Sequence, residues 1–171
     1  MADPNPAQVY QNVGFHFRVI FEGLKDDEGN SADISTDSSV EMRFQSVSGL
    51  DASIETETVK EGGENRFEHV IPVRRRYGPL VLKRGLLLLK DSALSQWFRR
   101  AFEDQKVEPL NHIAIQLLNE KHEPLLYWRA EWVWPKSWRI SELNAERGEV
   151  LIETLELNYN RFVFKNGDDA N

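Results

Sequence analysis

Four histidines, His16, His69, His112 and His122, are the natural candidates for metal ligands, because a neutral imidazole is the commonest protein donor to zinc and related ions. No two stand in an H-x-x-x-H spacing and none belongs to an H-E-x-x-H run. Strand-edge or surface positions explain them better than a metal site. Carboxylates are plentiful: Glu55, Glu57, Glu61, Glu64, Glu149, Glu153 and Glu156. Two of them could divide acid and base roles in glycoside hydrolysis, yet any acidic chain offers such pairs by number alone. The sequence contains no G-x-S-x-G, P-loop or G-x-G-x-x-G run, so neither a nucleophile elbow nor a phosphate cradle has support. There is no cysteine, which excludes thiol catalysis and disulfides. These residues predict no enzyme, no cofactor and no metal.

The basic clusters are Arg74-Arg75-Arg76 and Lys83-Arg84. A nucleic-acid contact would place stacking aromatics beside them, and only Tyr77 is adjacent. A formal net charge of -7 also argues against a general nucleic-acid binder. Arg74, Arg75, Arg76, Lys83 and Arg84 fit better as charge contacts to the acidic hairpin of the same or a neighbouring chain. Such pairs set register and partner choice more than affinity.

The elements that hold these residues follow from periodicity. Phe15, Phe17, Val19 and Phe21 alternate with polar neighbours, which predicts a strand with one buried face. Gly23–Ser39 is polar and acidic and reads as a long loop. Val40, Met42 and Phe44 open a second strand that ends at Ser48-Gly49. Ala52–Lys60 has strand-like threonines but no core-sized apolar stripe on either face. It leads through a Glu61-Gly62-Gly63-Glu64-Asn65 turn into a return strand, Arg66–Val73, and then a corner at Arg74–Pro79. A hairpin that no core anchors presents free edges, so residues 52–73 are predicted to be an extended hairpin. Leu80–Leu89 reads as a buried strand.

Leu94, Trp97, Phe98, Ala101 and Phe102 recur at i, i+3, i+4, i+7 and i+8. With Asp91 or Ser92 as cap, they predict a helix over about 92–105. Further strands are expected around Ile113–Leu117, over Leu125–Trp134 with Trp128, Trp132 and Trp134 on one face, and over Val150–Phe164, with Pro135–Trp138 breaking the chain between them. The whole is mainly β: an antiparallel barrel or two packed sheets with one main helix. At 171 residues and 40% hydrophobic content, one core is expected. The boundaries are a flexible N-terminal arm at 1–12, a single domain at 13–165 and a frayed tail at 166–171. Met1–Asn12 lacks the basic and apolar regions of a signal peptide, and the longest apolar run, Leu86–Leu89, is far too short to span a bilayer. Synthesis in the cytoplasm and no stable membrane insertion are expected.

Several segments carry a resemblance in their order and spacing: FRVIFEG, F-x-S-V-S-G-L, KEGGEN, RYGPLVLKRGLL, W-F-x-x-A-F, LLNEKHEPLLYW, WPKSW, ELNA and EVLIETLEL. The chain resembles tail-tube proteins of contractile phages, and most of all the inner-tube subunits of phage-tail-like contractile injection systems. That resemblance spans about Gly14–Tyr159. It implies a fold similar to the type VI secretion tube protein, and homohexameric rings stacked into a hollow tube. It implies as partners a contractile sheath, baseplate hub or spike proteins, and cargo or a tape-measure protein in the channel. A tube-initiating or baseplate-proximal ring protein of the same fold is the alternative. The implied place is a phage tail or an injection particle, with extracellular release left open. The resemblance also gives the hairpin a role between subunits and rings, carried by Ile54, Glu55, Thr56, Glu57, Thr58, Val59, Lys60, Glu61, Gly62, Gly63, Glu64, Asn65 and Arg66.

Overall fold

The structure, a computed structural model, describes residues 16–25, 44–59, 68–87, 92–146 and 148–166. Expectations placed on the N-terminal arm, on the acidic loop beyond Lys25, on Val40 and Met42, on the Lys60–Arg66 turn and on the C-terminal tail lie outside these residues. The described elements are β1 (Phe17–Glu22), β2 (Ser46–Ser48), β3 (Ala52–Val59), β4 (His69–Tyr77), β5 (Leu80–Gly85), α1 (Ala93–Phe102), β6 (Leu110–Leu118), β7 (Pro124–Ile140), β8 (Ile152–Asn158) and β9 (Arg161–Asn166).

Two antiparallel sheets share β7. One runs β1-β6-β7-β9, the other β7-β8-β5-β2. The alternation in β1 places Val19 and Phe21 inside. Across the register Val19 faces Ile115 and Phe21 faces Ile113, so paired positions build the same inner face. The second sheet supplies Leu80 and Leu82 opposite Leu157 and Leu155. Both inner faces meet α1 in one cluster with Leu94, Trp97 and Phe98.

The helix starts where the cap predicts. The Ser92 hydroxyl accepts the Ser95 amide at 3.2 Å, and Trp97 Nε1 donates to the Glu108 carbonyl at 2.8 Å. Leu94, Trp97 and Phe98 are essentially fully buried. Phe102 departs from the expected stripe: at the last turn it is 46% exposed.

Three predicted boundaries are corrected. The 17-residue β7 is not broken at Pro135–Trp138; a register shift between Pro135 and Ser137 takes the proline into the strand, as a bulge can. Trp128, Trp132 and Trp134 do not share a face, because Trp132 adopts φ +54. A large residue rarely enters that region. Here it resets the phase, so that Ala130 and Val133, three residues apart, are both fully buried while Trp132 is 56% exposed. This is where β7 exchanges β9, paired up to Glu131, for β8, paired from Trp134. The expected strand over Val150–Phe164 is two strands. β8 stays in the second sheet, and β9 crosses at Tyr159-Asn160 to pair with β7 in the first.

Candidate functional site

β3 and β4 form a two-stranded sheet with no other strand hydrogen-bonded to it among the described residues. Its pairing runs from Ala52–Tyr77 to Val59–His69. The strand extends through Tyr77, so Arg74, Arg75 and Arg76 lie on it and do not form the predicted corner. Val70, Ile71 and Val73, which the sequence reading left out of the candidate site, are 61%, 49% and 52% exposed. Ile54 is 60% exposed and Val59 41%. Their signal was present in the sequence as β-branched residues on a strand whose neighbours bury nothing.

A bulge between Glu55 and Thr56 gives β4 one extra residue. Since paired residues share a face, one face holds Ile54 with Arg75, Thr56 with Pro72 and Thr58 with Val70, continuing the side of Tyr77. The other holds Glu55 with Arg74, Ser53 with Arg76 and Glu57 with Ile71. On that second face the Glu55 carboxylate binds Arg74 at 3.3 Å and also Arg76. Two of the three arginines are therefore matched within the subunit. Arg75 has no ion pair among the described residues. The turn residues Lys60–Arg66 of the candidate site lie outside the described residues.

The arm is fixed at its root by two of the resembling segments. Tyr77 packs its ring against Tyr159 and Phe162 at centroid distances of 5.8 and 5.3 Å. The Tyr159 hydroxyl donates to the Gly49 carbonyl at 3.1 Å. Gly49 sits at φ +87 against the Pro79 backbone, where a β-carbon would overlap the Pro79 carbonyl. A β-carbon on Gly78 would likewise crowd the Asp51 carboxylate, though less severely. Burial pushes the Tyr159 phenol up to about 12, with the Asp51 carboxylate adding to the effect. This junction was missed in the sequence, because its contacts join segments far apart in the chain, up to the 110 positions between Gly49 and Tyr159.

The Lys83-Arg84 pair divides. Lys83 is exposed on β5. Arg84 is 1% exposed, and its guanidinium binds the buried Glu153 carboxylate and donates to Ser92 Oγ at 3.0 Å and Ser95 Oγ at 2.8 Å. Trp138 Nε1 donates to the other Glu153 oxygen at 3.0 Å. Arg84 thus meets a carboxylate of its own subunit, as one half of the expectation has it, but the carboxylate is Glu153 of β8 and not one of the hairpin.

Among the described residues no group of three or more His, Cys, Asp or Glu side chains could hold a metal ion, and no helix is long and apolar enough to cross a membrane. His16 and His122 approach edge to face at 4.5 Å, while His112 contacts Glu22 and Arg129.

Comparison with known proteins gives these surfaces a context. Residues 13–163 match the family model of T4-like virus tail tube protein gp19. A chain of the six-fold symmetrised anti-feeding prophage baseplate is similar at 28% identity and TM-score 0.72, covering 97% of this chain and 98% of that one. A chain of the sheath–tube complex of the extracellular contractile injection system PVC, in its extended state, is similar at 22% identity and TM-score 0.71, covering 94% and 95%. A type six secretion system protein shares the fold at 11% identity and TM-score 0.58, covering 89% and 83%. No curated protein matches.

Proposed function

The chain belongs to the T4-like virus tail tube protein gp19 family, a family of structural tube proteins and not of enzymes, and on that premise we propose that it is the subunit from which the inner tube of a contractile injection particle or phage tail is built. Six copies close into a ring, and rings stack around a central channel through which cargo passes. A sheath surrounds the tube and a baseplate anchors it.

The observation that carries this reading is the β3–β4 arm. It is a sheet of two strands, and two strands alone are marginal in water. Both its faces carry exposed β-branched residues, and its outer edges have no hydrogen-bonding neighbour among the described strands. Open edges of this kind are a hazard in a free protein and a ready interface in an assembly. Neighbouring copies supply the missing partners.

A second reading, a baseplate-proximal ring of the same fold, is favoured by the similarity to a chain of the baseplate structure. Electron microscopy of the purified protein separates the two. Stacked six-fold rings of constant width support the tube. Single rings that never stack favour the baseplate position, and a monomer at every concentration overturns both. Deleting Thr56–Arg66 is expected to leave a folded protein that no longer stacks.

A further inference from the structure

The second sheet turns one face to the core and the other outward. Leu80, Leu82 and Arg84 of β5, with their partners Leu157, Leu155 and Glu153 of β8, point inward and are buried. The residues between them point outward, and the register sets them in rows across four strands. One row runs Ser46, Lys83, Thr154, Arg139, from β2 through β5 and β8 to β7. The row beside it runs Ser48, Val81, Glu156, Ser137. Ser48, Lys83, Thr154, Arg139 and Glu156 line an open groove of ≈ 550 Å³ over this face.

The face is opposite in sign to the chain as a whole. The formal net charge is -7, yet Lys83, Arg139 and Lys136, at the bulge of β7, stand here against one carboxylate, Glu156. That side chain is only 15% exposed, and it is already bound by Lys136 at 3.5 Å and by Arg139. Lys83 pairs with no carboxylate among the described residues. Its neighbours across the register are the hydroxyl residues Ser46 and Thr154, which solvate an ammonium without neutralising it. Lys83 and Arg139 stand directly across from Thr154, one on each side, at a strand spacing of about 4.8 Å. A carboxylate lying over Thr154 can therefore accept from its hydroxyl and from both cations. Arg139 keeps donors for it, since a guanidinium has more N–H groups than the contact to Glu156 uses.

The same arrangement discriminates among anions. A nucleic-acid strand carries a phosphate at every residue, and Glu156, one row away, opposes a continuous run of negative charge. Bases also need aromatic platforms, and neither row holds an aromatic residue. An acidic polypeptide alternates charged with neutral side chains, so it can set a carboxylate over Thr154 and a neutral group beside Glu156.

We propose that the Lys83–Thr154–Arg139 row is a carboxylate-binding site for an acidic polypeptide segment of another protein. The site belongs to the single subunit and does not depend on the tube reading. It is tested by fluorescence anisotropy of a dye-labelled peptide of alternating glutamate and serine, titrated with the purified full chain at low ionic strength. Saturable binding is expected. Lys83→Gln and Arg139→Gln should each weaken it about tenfold, with an unchanged melting temperature. Thr154→Val, which keeps shape and charge, should weaken it about fivefold by removing one hydrogen bond. Lys121→Gln, in the β6–β7 turn, should leave it unchanged. No binding by the wild type, equal binding of a glutamine–serine peptide, or loss with Lys121→Gln as large as with Lys83→Gln overturns the proposal. Insensitivity to Thr154→Val overturns it too, by reducing the attraction to diffuse charge. Tighter binding of oligothymidylate overturns the choice of a polypeptide. Binding that appears only after Asp26, Asp27, Glu28, Asp33 and Asp37 are changed to their amides gives the site to the chain's own acidic segment and overturns the external partner.

Discussion

Arg84 and Glu153 form an ion pair buried to 1% and 0% exposure, and it ties four elements together at one point. Arg84 comes from β5 and Glu153 from β8. The same guanidinium reaches the Ser92 cap and Ser95 of α1, and the carboxylate accepts a hydrogen bond from the indole N–H of Trp138 on β7. The guanidinium carbon also lies 5.9 Å from the centre of the Phe44 ring. Each charged group is compensated, which is the condition for burying charge at all.

Removing one partner leaves the other charge stranded away from water. Glu153→Gln or Arg84→Met should each lower the unfolding free energy by about 3–5 kcal/mol, measured by urea denaturation. The double variant Arg84→Met with Glu153→Leu should lose much less, because no unpaired charge remains. A double variant as unstable as the sum of the singles would show that the pair is not the unit of stability.

The Gly49 junction predicts a contrast between two glycines. Gly49→Ala combines a left-handed backbone with overlap on Pro79, so strain of about 1–2 and overpacking of about 1–3 kcal/mol add. Gly23 has φ +76 but nothing within 4 Å of an added β-carbon, so Gly23→Ala should cost only the strain. Thermal melts of the two variants, made side by side, test the difference.

What could be read from the sequence follows the range of the interactions. β1 and α1 are visible because their burial repeats every two or about 3.6 residues, within a window that contains the whole signal. The arm is legible by default, since Ala52–Lys60 lacks any stripe to bury. Arg84 was misplaced because a cation beside Lys83 looks like a surface cluster until Glu153, 69 positions away, is brought beside it. Trp132 was misplaced because W-V-W alternates in text while its backbone does not. The Lys83–Thr154–Arg139 row escaped notice because its residues come from three strands that only the register brings side by side.

Tyr159 predicts an alkaline dependence. Its phenol is raised from 10.0 to about 12 in the folded protein, so the folded state holds its proton longer than the unfolded chain does. The stabilisation is complete below about pH 10 and is lost as pH rises through about 12. Burial raises Tyr127 as well, so the informative quantity is a difference. The gap in stability between the wild type and Tyr159→Phe should shrink over this window, in chemical denaturation at stepped pH. A gap independent of pH would mean that the phenol is no harder to ionise in the fold than out of it.

The arm itself predicts that folding and assembly can be separated by mutation. Ile54, Val70 and Ile71 are more exposed than buried or close to even, so replacing them with polar residues removes little from the subunit's own core. Ile54→Lys, Val70→Ser and Ile71→Glu should each change the unfolding free energy by no more than about 0.5 kcal/mol, as surface substitutions generally do. Glu55→Ala releases two largely exposed arginine partners and should cost at most about 1 kcal/mol. In an assembly the same aliphatics become buried, and about 25 cal/mol per Å² of apolar area is then forfeited at every repeated contact. A lysine or glutamate at that place must also lose its water. The expected pattern is unchanged melting of the isolated subunit with tubes lost in electron micrographs and sedimentation. Melting that falls in step with tube loss would place these residues in the subunit's own core instead of its interface.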